Sequence, residues 1–379
     1  MHAAPRTGEV LLVVGGAWLG VARLPRVLAD AGCRVVLLCH PRRFAARTRF
    51  VHELLPAPRD PAGTYRALEP LLARRRFDWV ILGDDFVLSE ATRDAGAWRA
   101  GFLPVPLEGD APRRLLSKVA FAEAMERHGL PFPRSEAARG TAEARAAADR
   151  IGYPVIVKPD HGSAGAGLFR ADAAAALAQL PDASTVVVQR FHDGAVGSTV
   201  VLFDRGRPLC WMSSYKERVY PPPFGPSCVR RYVHFAGMEE RLQPLGGLLG
   251  MTGLCGVDWI HAPGEAEPLF LEFNGRPTPW IHLHREFGTD FPAAIRAFLA
   301  STPVVVRPPA HPPVATVRMF PQDAFRAVSQ GEWRSFLRSF LGRDAPNDLP
   351  RDDGKLRRAY RTHLLRRAMA RLRMALSPR

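Results

Sequence analysis

The sequence predicts an α/β protein that begins with a doubly wound sheet and continues into further domains. Three observations carry that reading. About the first hundred residues alternate apolar runs with amphipathic stretches in the βαβ manner. The chain has 379 residues, more than one ordinary core fills. Beyond a proline-rich break at residues 104–112, "PVPLEGDAP", strands come in hairpin pairs rather than βαβ units.

Taken in order, residues 10–14 read as an apolar strand, Gly15-Gly16 as a turn, 19–31 as a helix stopped by Gly32, and 34–39 as a second strand. "DWVIL" (78–82) is another buried strand, ending in Gly83-Asp84-Asp85. The glycines of "GGAWLG" (15–20) imitate a dinucleotide fingerprint. Their spacing is not GxGxxG, and the second strand ends in "CHPRR" rather than the acid that would hold a ribose. A tight turn with no nucleotide is expected there, which disfavours a nicotinamide-dependent oxidoreductase.

A helix is expected over 114–128, closed by Gly129 and the turn "LPFP". A second helix covers 141–151 with Thr141 as its N-cap, and a strand covers 155–157. After a glycine-rich loop come a helix over 173–180 capped by Asp172 and a strand over 185–191. Residues 198–215 read as a hairpin around "DRGR", and "CGVDWI" with "LFLEFN" as another. The proline-rich "STPVVVRPPAHPP" (301–313) marks a second boundary.

The formal charge is +15, and residues 351–379 hold ten Lys/Arg against two Asp. The remainder is mildly basic, as suits a protein that handles polyanions such as nucleotides. Five cysteines without a CxxC pair or zinc spacing point to reduced thiols and a cytoplasmic protein. The apolar run 10–22 behind Arg6 resembles a signal-peptide core, but Glu9 and the lack of a small-x-small cleavage site speak against one. No stretch is long enough to span a membrane.

The clearest chemistry lies in the second hairpin. Strand alternation turns Glu272 and Asn274 to one face and Leu271 and Phe273 to the core, and a loop centred near Gly264-Glu265 sets Asp258 across from Glu272. Three hard oxygen donors on neighbouring strands suit Mg²⁺ completed by phosphate oxygens and waters. A solvated sheet face carries the same residue types. Arg276 extends the row. The chain has only four lysines, and Lys118, Lys158 and Lys216 all precede this hairpin. In "VIVKPDHGSAGAG" the lysine comes before the glycines, the reverse of a P-loop.

This order of parts resembles the ATP-grasp superfamily of carboxylate–amine ligases. The matching pieces are "LLSKVAFAEAMERHGLPFP", "GYPVIVKPDHGSAGAG", "VVVQRFHDG", "GVDWI" and "LFLEFNGRP", from about residue 115 to 298. The resemblance implies an α+β ATP-grasp fold and three parts. Residues 1–108 would be a Rossmann-like domain ahead of the ATP-grasp fold. Residues 109–302 would be a core of two subdomains with antiparallel sheets (about 109–190 and 191–302). Residues 303–379 would be a proline-rich linker and basic helical extension.

It further implies that Lys118 and Lys158 hold the ATP phosphates, under a lid at Gly162, Ser163, Ala164, Gly165 and Gly167. Gln189, Arg190, Phe191 and His192 would form the strand that meets adenine. Asp258, Glu272 and Asn274 would bind two Mg²⁺ ions, or Mn²⁺ in their place. Arg276 would steady the transferred phosphoryl group, with Lys216 near the γ-phosphate or acid. Arg230 and Arg231 offer a carboxylate clamp or a solvated surface, and Trp280, His282 and His284 a pocket wall or structural support. The sequence departs from the pattern with Gln189-Arg190 in place of Glu, and with "GAVGST" (194–199) where an acid would hold the ribose; Asp193 is the nearest acid.

The implied reaction is ATP-dependent joining of a small-molecule carboxylate to an amine, with a non-catalytic ATP-binding protein as the alternative. In the tail, Leu356, Tyr360, Leu364, Ala368, Leu372 and Leu376 recur every four residues among arginines. That stripe suits a helix docked on the body, or one contacting a membrane surface or a protein. No reading motif for nucleic acid accompanies the charge.

Overall fold

The structure is a computed structural model and describes residues 8–162, 166–302, 304–343 and 346–376. Gly8–Val14 (β1), Cys33–Cys39 (β2), Glu53–Pro56 (β3) and Trp79–Leu82 (β4) make a parallel sheet in the order β3-β2-β1-β4. β1 and β2 are central and almost wholly buried, so they read as unbroken Val/Leu runs rather than alternations. Leu24–Asp30 (α1), Pro61–Arg66 (α2), Leu68–Arg74 (α3) and Asp85–Arg93 (α4) accompany it.

The helix expected over 19–31 is split. Gly20–Arg23 is a 3₁₀ turn, and Pro25 stands in the first turn of α1, where its missing N–H is not needed. The "GGAWLG" turn is tight, as expected, and its amides are consumed. Gly15 and Gly16 both donate to Asp84 Oδ2, at 2.9 and 2.8 Å, leaving no amide nest for a pyrophosphate. Gly20 is there for packing, because a Cβ would lie 2.1 Å from Pro279 Cβ.

The helix expected over 114–128 is also two, Ala111–Leu116 (α5) and Lys118–Arg127 (α6). Ser117 between them is extended and caps α6 by accepting from the Ala120 amide at 3.0 Å. Ser135–Arg139 (β5), Val155–Pro159 (β6), Phe169–Ala171 (β7) and Thr185–Arg190 (β8) form an antiparallel sheet in the order β5-β8-β6-β7. Gly140–Ile151 (α7) closes one face with Ala144, Ala147, Ala148 and Ile151.

Two expected caps do other work. Thr141 lies inside α7 and donates to the Leu180 carbonyl at 2.9 Å. Residues 174–179 form a 3₁₀ helix without a side-chain cap, and Asp172 pairs with Arg170.

The largest sheet is antiparallel throughout. Ala195–Asp204 (β9), Arg207–Val219 (β10), Ser227–Val233 (β11), Gly253–His261 (β12), Leu269–Asn274 (β13) and Thr316–Arg318 (β14) are ordered β13-β12-β9-β10-β11-β14. Met238–Leu249 (α8), His284–Phe287 (α9) and Phe291–Leu299 (α10) add their apolar faces to the cores on its two sides.

After β14 come Gln322–Gln330 (α11), Trp333–Leu341 (α12) and Gly354–Leu376 (α13). The tail stripe is docked: Leu356, Tyr360, Leu364 and Ala368 are buried with Phe320, Ala324, Ala327, Val328 and Phe336. The Leu372 and Leu376 side chains lie outside the described residues. Tyr360 donates to the Leu19 carbonyl at 2.9 Å, tying the extension to the turn after β1. All five cysteines are buried and unpaired. Among the described residues no helix is long and apolar enough to cross a membrane.

Because Leu364 is 0% exposed and Leu365 is 46% exposed, their truncations should differ sharply. Leu364→Ala should cost about 3 kcal/mol, and Leu365→Ala no more than about 0.5 kcal/mol. Denaturant unfolding of the two variants measures this.

Candidate active site

A cleft of about 370 Å³ opens between the β5–β8 sheet, the start of α6 and strand β13, with α4 on its far wall. Of the expected residues, Lys118, Lys158, Gly162, Gln189, Glu272 and Asn274 line it.

Strand alternation sends Val155 and Val157 to the α7 core and Lys158 to the other face. Lys158 is only 8% exposed, and its Nζ lies 3.4 Å from the Leu271 carbonyl. Burial brings its pKa down to about 8; Glu272 and Asp258 oppose that shift, and Lys118 and Lys216 add to it. Lys118 is the first residue of α6; its Nζ donates to the Gly162 carbonyl at 2.7 Å and stands 3.6 Å from Glu272 Oε1.

Asp160, unnoticed in the sequence, locks the two lysine-bearing elements together. Its Oδ1 accepts from Ser117 Oγ at 2.7 Å and the Val119 amide at 3.0 Å, and its carbonyl accepts from the Lys118 amide at 3.1 Å. The signal available was a carboxylate two residues past a strand lysine.

Asp258 pairs directly with Glu272, as alternation predicts, and Asn274 stands opposite Gly256. The ladder then slips: Trp259 faces Phe270, and Leu271 is the extra residue of a bulge. Leu271 therefore lines the cleft, half-buried, instead of joining Phe273 in the core. Lys216 Nζ donates to Asp258 Oδ2 at 2.8 Å.

Among the described residues no group of three or more His, Cys, Asp or Glu converges. Two carboxylates and one amide make no protein-only cage. They fit Mg²⁺, which keeps waters and takes phosphate oxygens, better than zinc, which takes nitrogen and sulfur.

Arg276 is held from α4. Its Nε and Nη2 donate to the two oxygens of Asp85 at 2.8 and 2.9 Å, Nη2 reaches Asn274 Oδ1 at 3.3 Å, and the guanidinium lies 4.5 Å over the Trp18 ring. The hint for Asp85 was its place at the carboxyl end of a parallel strand, where such sheets build sites.

Arg230 and Arg231 part company. Arg231 pairs with Glu217 at the surface. Arg230 is buried on the polar face opposite Lys216, with Nη1 donating to Ser198 and Ser214 at 2.9 Å each and the Trp280 ring 4.3 Å away. Burial lowers its pKa to about 9. Trp280, His282 and His284 are buried. Burial and the nearby Arg23 hold His282 at about 4, so its neutral ring donates Nε2–H to Asp348 at 2.7 Å.

The strand expected to reach His192 ends at Arg190. Gln189 is buried and donates to Ser135 Oγ at 2.9 Å, while Arg190 is exposed. Phe191 leaves the ladder by donating its amide to the Pro154 carbonyl at 3.1 Å, and the Arg170 guanidinium stacks 4.2 Å over its ring. His192 follows, half-buried. Gly167 lies in a turn outside the cleft lining. Ser163, Ala164 and Gly165 lie outside the described residues. In "GAVGST" the Trp259 ring covers Gly197, where a Cβ would fall 2.1 Å from it.

Residues 116–279 match the ATP-grasp domain family. That stretch is an ATP-grasp domain. The carbamoyl phosphate synthase large chain of Streptomyces griseus is 34% identical over 119 residues, covering 29% of this chain and 10% of its own. The phosphoribosylamine–glycine ligase of Ralstonia nicotianae is 35% identical over 195 residues, covering 44% of this chain and 46% of its own. This chain thus spans less than half the length of either relative.

In fold, the ATP-grasp domain and its surroundings resemble the biotin carboxylase domain of Hydrogenobacter thermophilus 2-oxoglutarate carboxylase, solved with MgADP, ADP and bicarbonate. The TM-score is 0.58 at 15% identity, over 77% of this chain and 69% of that one.

Lys158 makes the ATP-grasp cleft pH-sensitive. With a pKa of about 8 in place of 10.5, the Lys158 ammonium is lost as the pH rises through that value, and with it any attraction it exerts on a phosphate. ATP affinity by calorimetry should be flat near neutrality and fall by up to about tenfold per pH unit well above it. Lys158→Met should bind weakly at every pH and lose the slope. Between about 8 and 10.5 the unfolded chain binds the extra proton, so the lysine's contribution to stability rises with pH in that window.

Proposed function

We propose that this protein is an ATP- and Mg²⁺-dependent ligase that activates a small-molecule carboxylate as an acyl phosphate and joins it to an amine. One observation carries the reading: Glu272 shares the cleft with Lys118 and Lys158, and Asp258, paired with Glu272 in register, holds Lys216 behind it. The name of the phosphoribosylamine–glycine ligase relative supports amine-to-carboxylate joining. The MgADP-bound neighbour supports a nucleotide site in this fold.

In this reading Lys118 and Lys158 lie against the β- and γ-phosphates. Asp258, Glu272 and Asn274 hold two Mg²⁺ ions, which when bound neutralise charge on those phosphates. A carboxylate oxygen of the substrate attacks the γ-phosphorus, the bond to the β-phosphate oxygen breaks, and ADP leaves. The amine nitrogen then attacks the acyl carbon, phosphate leaves, and the nitrogen loses a proton. The attacking carboxylate is already an anion, so no strong base is required.

Arg276, oriented by Asp85, faces the transferred group, and Lys216 bridges Asp258 and the γ-phosphate. Arg230 supplies an unpaired guanidinium on the same sheet face for the acid. Leu271 and Gln189 border the nucleotide end, with Arg190, Phe191 and His192 following at its edge.

A second reading, an ATP-binding protein without turnover, is favoured by one contact: Arg276 is already neutralised by Asp85. Mg²⁺-ATP incubated with pools of acids and amines separates the two. Substrate-dependent release of ADP and phosphate, reduced at least about a hundredfold in Glu272→Ala, supports the ligase. AMP release, or binding with no turnover in any pool, overturns it.

Asp85→Asn tests the Arg276 contact. If Asp85 orients the arginine, kcat should fall about tenfold with the KM for ATP little changed. If Asp85 merely quenches it, turnover should rise.

A further inference from the structure

The side of α13 turned away from the body carries a pattern that docking leaves unused. The docked stripe is Leu356, Tyr360, Leu364 and Ala368. At about 3.6 residues per turn, the opposite side runs through Arg358, Leu365, Arg366, Met369 and Arg373. Leu365 and Met369 are 46% and 49% exposed. Between Gly354 and Leu376 stand eight Lys/Arg and no Asp or Glu. Lys355, Arg358, Arg366, Arg371 and Arg373 are exposed.

Helix α12 adds Leu337 and Leu341, four residues apart and 53% and 48% exposed. It meets α13 where the Arg361 guanidinium lies 5.2 Å over the Phe340 ring, one turn before Leu365.

We propose that this surface seats on a bilayer containing anionic phospholipid. Leu365 and Met369 enter the acyl boundary, with Leu337 and Leu341 of α12 as further exposed apolar side chains, and the arginines lie against the lipid phosphates. The charge is complementary to any polyanion, but the apolar side chains among it select among them. A nucleic-acid phosphate surface offers such side chains nothing to bury against. One leucine and one methionine on the charged α13, with two leucines on α12, are also too sparse to form the apolar core of a stable protein interface. A bilayer suits both features. Such seating is reversible and weakens with salt, since exposed cations supply most of the attraction.

Co-sedimentation of the full chain with extruded vesicles tests this. Vesicles of equimolar phosphatidylcholine and phosphatidylglycerol should retain the protein at low salt and release it at high salt. Pure phosphatidylcholine should not retain it. The pair Leu365→Asp/Met369→Asp should weaken partitioning at least about tenfold, and Arg358→Glu/Arg366→Glu comparably. All these positions are exposed, so an unchanged thermal midpoint in each variant certifies the fold.

Equal retention by pure phosphatidylcholine, or none by the anionic vesicles at low salt, would overturn the proposal. So would unweakened binding of the Asp pair, which marks a surface of charge alone. Release from the vesicles by duplex DNA, with DNA binding indifferent to the Asp pair, would identify nucleic acid as the partner instead. None of these outcomes depends on ATP turnover, so the ligase reading stands or falls separately.

Discussion

Lys158 is an ammonium nearly sealed from water with two further cations in its field, and the cleft is organised around making that tolerable. Burial and the neighbouring Lys118 and Lys216 favour the neutral amine, while Glu272 and Asp258 oppose them. The β12–β13 register sets both carboxylates on the face that Lys158 meets, and a one-residue slip would turn them away. Among the described residues no carboxylate pairs directly with Lys158, whose Nζ contact is the Leu271 carbonyl. In the proposed reading the phosphates of ATP would be the partner it lacks, met by a site whose desolvation the fold has already taken on.

The N-terminal parallel sheet and its helices complete this arrangement from the other side. Asp84 and Asp85 are adjacent, yet one faces inward and the other outward. Asp84 gathers the amides of Gly15, Gly16, Phe86 and Val87, closing the turn after β1 and starting α4. That fixes the first turn of α4, and with it the direction in which Asp85 reaches Arg276. The glycine motif that mimics a nucleotide fingerprint thus aims a carboxylate at the ATP-grasp domain. The close approach of Gly20 to Pro279 gives the turn after β1 a second contact with the segment that follows β13.

What the sequence disclosed and what it hid divide by range. The Asp258–Glu272 pairing needed only strand alternation and a short loop, so it was legible from the residues between them. The bulge that turns Leu271 into the cleft has no comparable signature, since either register keeps a Phe in the core. The break at Ser117 was misread because the apolar pattern continues through it; the serine's role as a cap appears only once Asp160 holds its hydroxyl. Asp85 and Arg276 are 191 residues apart, and only the assembled domains bring them within reach. The strand at 185–190 stops early because the Phe191 amide finds the Pro154 carbonyl, a partner that depends on how two strands are aligned.

Arg230 shows why such a site cannot be judged from pairing rules alone. A guanidinium buried against Trp280 with only two serine hydroxyls as acceptors costs stability, and no carboxylate among the described residues lies within ion-pair distance of it. The carboxylate whose charge reaches it, Asp258, already serves Lys216. Exchanging Arg230 for an apolar residue would relieve that cost and leave the sheet intact, so packing does not explain its presence. In the proposed ligase reading a substrate carboxylate would be its partner, because a buried cation without an ion pair offers a strong contact to an incoming anion. On that reading, the position that costs stability is the one the proposed chemistry uses.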